Sequence, residues 1–284
     1  ILTVINREAK YEITVEANSG DGKYDGSTWH VEGFVNETYE AGGNLYTVEG
    51  LSAGVSAKDA GTYPVMVSGT PVVRDADGND VTEEFIVNTR DGVLDIARRK
   101  ITFTSDSASR EYNGNVLSAE NVTVSGEGFV DGEGAEFSFS EGITTVGFAR
   151  NYFSWEMKEG TKAENYEVTV NEGELTVYNR SARYEIEIVP NSAEYLYDGQ
   201  PHGAEGLVTT RFGIGDNIYT VEGLTAARSE IHAGEYPVGV AGTAVVRDAS
   251  GNDVTDQFRV ITREGKLKIN PRHVTLTSGT AEKT

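Results

Sequence analysis

The chain has no cysteine, six prolines in 284 residues, and only 24 basic side chains against 45 acidic ones. Each shortage removes a class of protein. Without cysteine there are no disulfides, no thiol nucleophile and no zinc–thiolate centre. A eukaryotic secreted chain of this length would often carry disulfides, so a cysteine-free, acidic, glycine- and threonine-rich chain fits bacterial secretion better. The net charge of −21 argues against nucleic acid and anionic membrane surfaces as partners, because phosphate binding wants a basic face. No apolar run approaches the roughly 18 residues of a membrane span. No secretory signal is visible, and the abrupt start reads as a fragment of a longer chain.

Regular helix is also missing from the pattern: no stretch holds a helical period over ten or more residues. What the chain does have is an internal repeat. "YTVEGLSAG" from Tyr46 returns as "YTVEGLTAA" from Tyr219, and "AGTYPVMVSGT" from Ala60 returns as "AGEYPVGVAGT" from Ala233. Each pair is 173 positions apart (219 − 46, 233 − 60), without insertion or deletion. A diverged unit lies between the copies, from "ITFTSDSASREYNG" to "NYEVTVNEGELTV". The array therefore reads as two A-type units around one B-type unit, with B-type fragments at both ends. Residues 1–10 end a preceding B-type unit, 11–99 form an A unit, 100–180 the B unit, 181–271 the second A unit, and 272–284 open a following B-type unit.

Segments such as "YEITVE" and "KITFTS" alternate apolar and polar residues with period two, and Gly, Asn and Asp punctuate them at short spacing. The predicted class is all-β: tandem antiparallel, immunoglobulin-like sandwiches strung into a rod, with β-grasp-like units as the alternative. Each unit should run from an opening strand through Tyr-(Asp/Asn)-Gly to a closing hairpin. The joints "ARRK" (97–100), "YNRSAR" (178–183) and "NPRH" (270–273) are short and not Gly/Ser-rich, which predicts stiffness. Their arginines are expected to pair with carboxylates on the flanking domains.

The acidic phrase "VVRDADGNDVTEEF" from Val72 recurs as "VVRDASGNDVTDQF" from Val245. Asp75, Asp77, Asn79 and Asp80 could hold calcium, but Asp77 becomes Ser250 in the second copy, so a copied turn is the preferred reading and no metal or cofactor is expected. In "KYDG" and "LYDG", Gly26 and Gly199 should take positive φ, with Asp25 and Asp198 capping the turn. A sugar platform at Tyr24 is the minor reading. "KDAGTYPV" and "IHAGEYPV" resemble a tyrosine corner, and Pro64 and Pro237 suit an edge strand. No catalytic motif is present, and none of the four histidines (His30, His202, His232, His273) pairs with another across the repeat, so no enzymatic activity is expected. Lysines at 10, 23 and 58 become Arg183, Leu196 and Ile231, so a Lys–Asn isopeptide crosslink is excluded from the A units and left open for Lys100, Lys158 and Lys162. The copies differ most over residues 27–43, where Trp29, Phe34 and Tyr39 are the candidate ligand contacts for a glycan or host protein, against packing on the sheet, the preferred reading.

Tyr24-Asp25-Gly26, Tyr112-Asn113-Gly114 and Tyr197-Asp198-Gly199, with the closing Asn165-Tyr166 and Gly173-Glu174-Leu175, resemble the YDG/MBG-type tandem repeats of large bacterial cell-surface proteins. In the first A unit, Phe85 and Gly92-Val93-Leu94 stand in the closing role. Asn113 departs from the family's Asp but can serve the same turn. The resemblance implies an extracellular location on a bacterial surface, stalk or adhesion duty, neighbouring repeats as the main partners, and no catalytic residues. A structural spacer is the leading expectation, ahead of a glycan- or host-protein-binding module and a self-assembling fibre or surface-layer subunit.

Overall fold

A computed structural model describes residue 3 and residues 8–282. All regular structure in that span is β-strand apart from three single 3-10 turns, Thr82–Glu84, Ala163–Asn165 and Thr255–Gln257. The all-β expectation therefore holds. Most of the fragment expected at residues 1–10 lies outside the described residues. Residues 271–282 carry no strand and are exposed, so among the described residues the opening strand expected over 272–284 is not seen. Its counterpart Arg99–Ser105 is held in a sheet between Val122–Gly126 and Tyr166–Asn171. Residues 272–282 have no such neighbours to pair with.

The strands form where the period-two pattern places one apolar face. In Tyr11–Glu16, Ile13 and Val15 are buried while Glu12 and Thr14 face out; in Gly92–Ala97, Leu94 and Ile96 are buried and Val93 and Asp95 exposed. The opening and closing segments of each repeat pair in parallel. Tyr11–Glu16 lies beside Phe85–Arg90, and Gly20–Lys23 beside Gly92–Ala97, in one register: Tyr11 faces Phe85 and Lys23 faces Ala97, both 74 apart (85 − 11, 97 − 23). The second copy has the same spacing, with Tyr184 opposite Phe258 and Leu196 opposite Asn270. In the middle repeat the spacing is 67, from Arg99 opposite Tyr166 to Glu111 opposite Tyr178 (166 − 99, 178 − 111).

The closing segment is thus one bent strand and not the expected hairpin, and the sheets are mixed, not purely antiparallel. Parallel pairing of first and last strands is what the β-grasp alternative would have, but no helix packs on a sheet among the described residues. Gly92, which reads as a turn glycine, is instead a point of close approach: a Cβ there would lie 2.1 Å from the Asn18 carbonyl oxygen. A serine bridges the bend in every repeat. Ser19 Oγ accepts the Val93 N–H at 3.0 Å, and Ser107 and Ser192 accept those of Glu174 and Lys266 at 2.9 Å.

The chain forms two compact units. The first comprises the chain through residue 106 with residues 120–139 and 152–172; the second comprises residues 107–119 and 140–151 and the chain from 173 onward. One core of the first unit is made by Ile13, Val15, Tyr39, Val73 and Phe85 of the first A copy. The other joins Tyr24, Val65, Leu94 and Ile96 of that copy to Ile101, Phe103 and Tyr166 of the middle repeat. In it Phe103 meets Phe137 and Trp155 edge-on, with ring centroids 5.1 and 5.3 Å apart. The main core of the second unit joins Tyr112, Leu175 and Val177 of the middle repeat to Ile186, Tyr219 and Phe258 of the second A copy. The middle repeat is therefore divided, one part of it completing a core in each unit.

Candidate functional site

The residues that join one repeat to the next form the most elaborated chemistry of the chain, and they centre on the Tyr-Asx-Gly turns. As expected, Gly26, Gly114 and Gly199 take φ of 80°, 82° and 81°, a conformation that only glycine adopts cheaply. Asp25, Asn113 and Asp198 accept the backbone N–H two residues on, at 2.8, 3.0 and 2.9 Å. The Asp25 carboxyl is held below its usual range by the Ser27 hydroxyl and N–H, with a smaller contribution from Trp29. The Trp29 indole N–H is nonetheless buried and closes no hydrogen bond.

The first two tyrosines are buried plugs. Tyr24, 1% exposed, donates to one oxygen of Glu133, and Tyr166 donates to the other. The two rings meet edge-on at 5.7 Å. Burial, then Glu133, pushes Tyr24 above the ordinary phenol range, and the same causes push Tyr166 up to about 12. A sugar cannot stack on a ring so enclosed. Tyr112, fully buried, lies with its hydroxyl 3.4 Å from that of Tyr219, and burial, then this contact, raises it strongly too. Val130 packs so close to Gly26 that a Cβ there would lie 2.6 Å from its Cγ1; a Cβ on Gly114 would lie 2.2 Å from the Tyr219 hydroxyl. At Gly199 nothing comes within 4 Å, and Tyr197 is half-buried.

A second set of contacts stands beside each plug. Asn165, fully buried, accepts the Ala60 N–H at 2.7 Å and donates to Asp59 at 3.0 Å, while Lys162 pairs with the other oxygen of Asp59. This lysine and carboxylate are partly exposed, an ion pair at the surface. Gln257, in the same place before its aromatic residue, accepts the Arg180 N–H at 3.0 Å and donates to Asn179 at 2.6 Å. The joint arginines do not seek carboxylates as expected. Arg99 donates to the carbonyls of Glu127 and Gly128 at 2.6 and 2.8 Å; Arg180 donates to those of Tyr112 and Ala182 at 3.1 and 2.8 Å and lies 3.9 Å over the Tyr184 ring. A planar guanidinium holds its donors in a fixed fork and can stack on an aromatic ring while it bonds carbonyls at its edge, which an ammonium does not.

The repeated acidic phrase is a self-contained turn. Asp75 accepts the N–H groups of Asp77 and Asn79 and the Asn79 side chain, and Asp80 accepts the Thr82 N–H and hydroxyl. Thr82 Oγ1 then accepts the Val73 N–H at 2.8 Å. Asp248, Asn252, Asp253 and Thr255 repeat the pattern. Only the backbone N–H of residue 77 takes part, as does that of Ser250, so that side chain is free to change between copies. The tyrosine corner is present: Tyr63 and Tyr236 donate to the carbonyls of Asp59 and His232 at 3.0 and 3.1 Å. Because the acceptor is backbone, the exchange of Asp59 for His232 leaves it intact. Pro64 and Pro237 sit on edge strands as expected.

The aromatic candidates are not brought together. Trp29 packs against the core that holds Tyr24, over Gly22, where a Cβ would lie 2.7 Å from the indole. Phe34 and Tyr39 belong to the other core, and the Tyr39 hydroxyl donates to the Asn36 carbonyl at 3.1 Å. In the second copy the large and small partners change over: Tyr195 stands for Gly22 and stacks on His202, which stands for Trp29, at 4.4 Å. Trp29 and Phe34 are half-buried and Tyr39 is buried. A cleft of 380 Å³ beside Tyr112, Val146 and Asn179 is bounded by the 253–257 turn, whose Thr255 and Gln257 are engaged as above. No family model matches the chain, and no curated protein matches it.

Sequence reasoning missed Glu133, Asn165, Gln257 and the acceptors of Arg99 and Arg180. Asn165 alone carried a signal, as part of the closing Asn-Tyr pair.

Three outcomes follow from this geometry. Tyr24→Ala removes a buried ring and its bond to Glu133 and should cost about 3–5 kcal/mol, whereas Tyr197→Ala, at the open counterpart, should cost under about 1.5 kcal/mol; equal losses in urea melts would contradict the plug assignment. Raising pH should unfold the first unit. Tyr24 and Tyr166 ionise only above the ordinary phenol value of about 10, so the folded state keeps protons that the unfolded state has lost. Their contribution is intact below pH ~10 and falls as pH climbs towards that of the folded groups. Melts between pH 9 and 11.5 should show a decline that Tyr166→Phe makes shallower; no decline would refute it. Calcium and chelator should leave the melting curve in place, because a ligand of the folded state would raise it and the Asp75 and Asp80 oxygens already serve their own turns.

Proposed function

We propose that the chain is a structural spacer segment of a bacterial surface adhesin built of tandem β repeats, working outside the cell with neighbouring repeats as its main partners. One observation carries the reading: in each unit a core is built across a repeat boundary. Tyr24 of one repeat is sealed by Glu133, Val130 and Tyr166 of the next, and Tyr112 by Tyr219 of the one after. A repeat that needs its neighbour to finish its core is suited to an array and poorly suited to an independent binding domain on a flexible tether. The joints 97–100 and 178–183 lie within the compact units, where Arg99 and Arg180 are tied to neighbouring backbone. A hinge at either joint would have to break a core. The Tyr-Asx-Gly resemblance to surface-protein repeats points the same way, and the reading assigns no catalytic step and no metal.

The spacer reading requires an extended, stiff particle. Small-angle scattering should give a radius of gyration well above the roughly 19 Å of one compact body of this length. It should change little between low and high salt, because backbone carbonyls and buried tyrosines are not screened as surface ion pairs are. A compact profile would remove the spacer reading. A profile that lengthens with protein concentration would favour a self-assembling fibre instead.

A further inference from the structure

The two A-type copies present the same end face with different chemistry. On the first copy that face is covered: Tyr24 reaches Glu133, Gly26 lies under Val130, Lys23 pairs with Glu127, and Asp59 binds Lys162 and Asn165. The counterparts on the second copy are Tyr197, Gly199, Leu196 and His232. Tyrosine and glycine are kept; the cation and the carboxylate are not. Leu196 and Ile231, the latter standing for Lys58, are 56% and 42% exposed. Beyond them, Val274 and Leu276 are 79% and 93% exposed, while Ile101 and Phe103, 173 positions earlier, are 1% and 0% exposed within a core. Exposed apolar side chains on an unpaired strand-forming segment mark a place where another segment adds.

We propose that this face, with residues 273–277, receives a further B-type segment of a different subtype from residues 99–172. That segment keeps a glutamate at the place of Glu133, to accept from Tyr197, and an aliphatic residue at the place of Val130, to cover Gly199. It carries an apolar residue in place of Glu127, to meet Leu196. It carries no cation in place of Lys162, because His232 offers no carboxylate to pair with one. The changed pairs make the two A faces distinguishable, so each selects its own neighbour by matched and mismatched contacts. The inference rests on the array reading above and names the partner of one of its faces.

The test extends the full chain beyond Thr284 with a copy of residues 112–178, so that 273–284 begin a complete B-type segment. One version keeps the copied sequence. The other carries leucine and glutamate at the positions copied from Glu127 and Lys162. Amide hydrogen exchange is then followed at residues 273–277. In the altered version these amides should slow by at least about tenfold relative to the unextended chain, and more than in the unaltered version. Tyr197→Ala in the altered chain should abolish the protection. Protection absent from both versions, or equal in both, or indifferent to Tyr197→Ala, would overturn the proposal. Scattering of the unextended chain separates this failure from that of the spacer reading, since an extended particle without docking defeats only the assigned subtype.

Discussion

The structure turns on a carboxylate shared by two phenols. Glu133 accepts from Tyr24 of one repeat and from Tyr166 of its own, and both rings are nearly closed to solvent. A tyrosine at such a place contributes twice. Its ring fills volume at the end of one core, and its hydroxyl needs an acceptor that only the following repeat supplies, because an unsatisfied buried hydroxyl is costly. The apolar term drives closure, and the polar term fixes which surface closes on which. Removing either leaves a contact that is greasy but unaddressed, or addressed but weak.

Parallel pairing of opening and closing strands makes this junction possible. A hairpin would have returned the chain to the end of the repeat where it began. The bent, continuous strand carries it to the far end and delivers it, with only Arg98 between, from Ala97 into the next opening strand at Arg99. The joint is therefore too short to flex. Arg99 donates to two backbone carbonyls of the segment it introduces. Asn165 and Gln257 then tie the closing strand of one repeat to the turn or joint of its predecessor. Each device is local, and each is repeated because the unit is repeated.

How much of this was legible in the sequence follows from the same physics. Alternating strands, turn glycines at Gly26 and Gly199, Asx caps and the self-bonded acidic turn are properties of short windows, and a 173-residue duplication let two windows check each other. Strand partnership is not such a property. "YEITVE" alternates in the same way whether its neighbour runs parallel or antiparallel, so the pairing of Tyr11 with Phe85 had no local mark. The expected closing hairpin failed for a related reason at Gly92. Between Asp91 and Val93 it has the composition of a turn, yet it is needed for the approach of Asn18. The junction residues were hidden most deeply. Glu133 is one acid among 45, and only its position between two tyrosines separates it from the rest.

Comparison of the two A copies shows which constraints are strict. Positions whose side chains bond within the copy, such as Asp75, Asn79, Asp80 and Thr82, reappear unchanged, while Asp77, which lends only its backbone, drifts to Ser250. Two positions that touch the following repeat change together: Lys23 and Asp59 become Leu196 and His232, while inside the copy Gly22 with Trp29 becomes Tyr195 with His202. Changes also run through residues 27–43 and along exposed strand positions, where Ile86 becomes Arg259, Val93 becomes Lys266 and Asp95 becomes Lys268. On the face that meets the following repeat, tyrosine and glycine are retained while the charged pair changes, which is what results when the common fold is held and the identity of the neighbour is not. The duplicated unit thus keeps two chemistries apart, one that folds the repeat and one that addresses it.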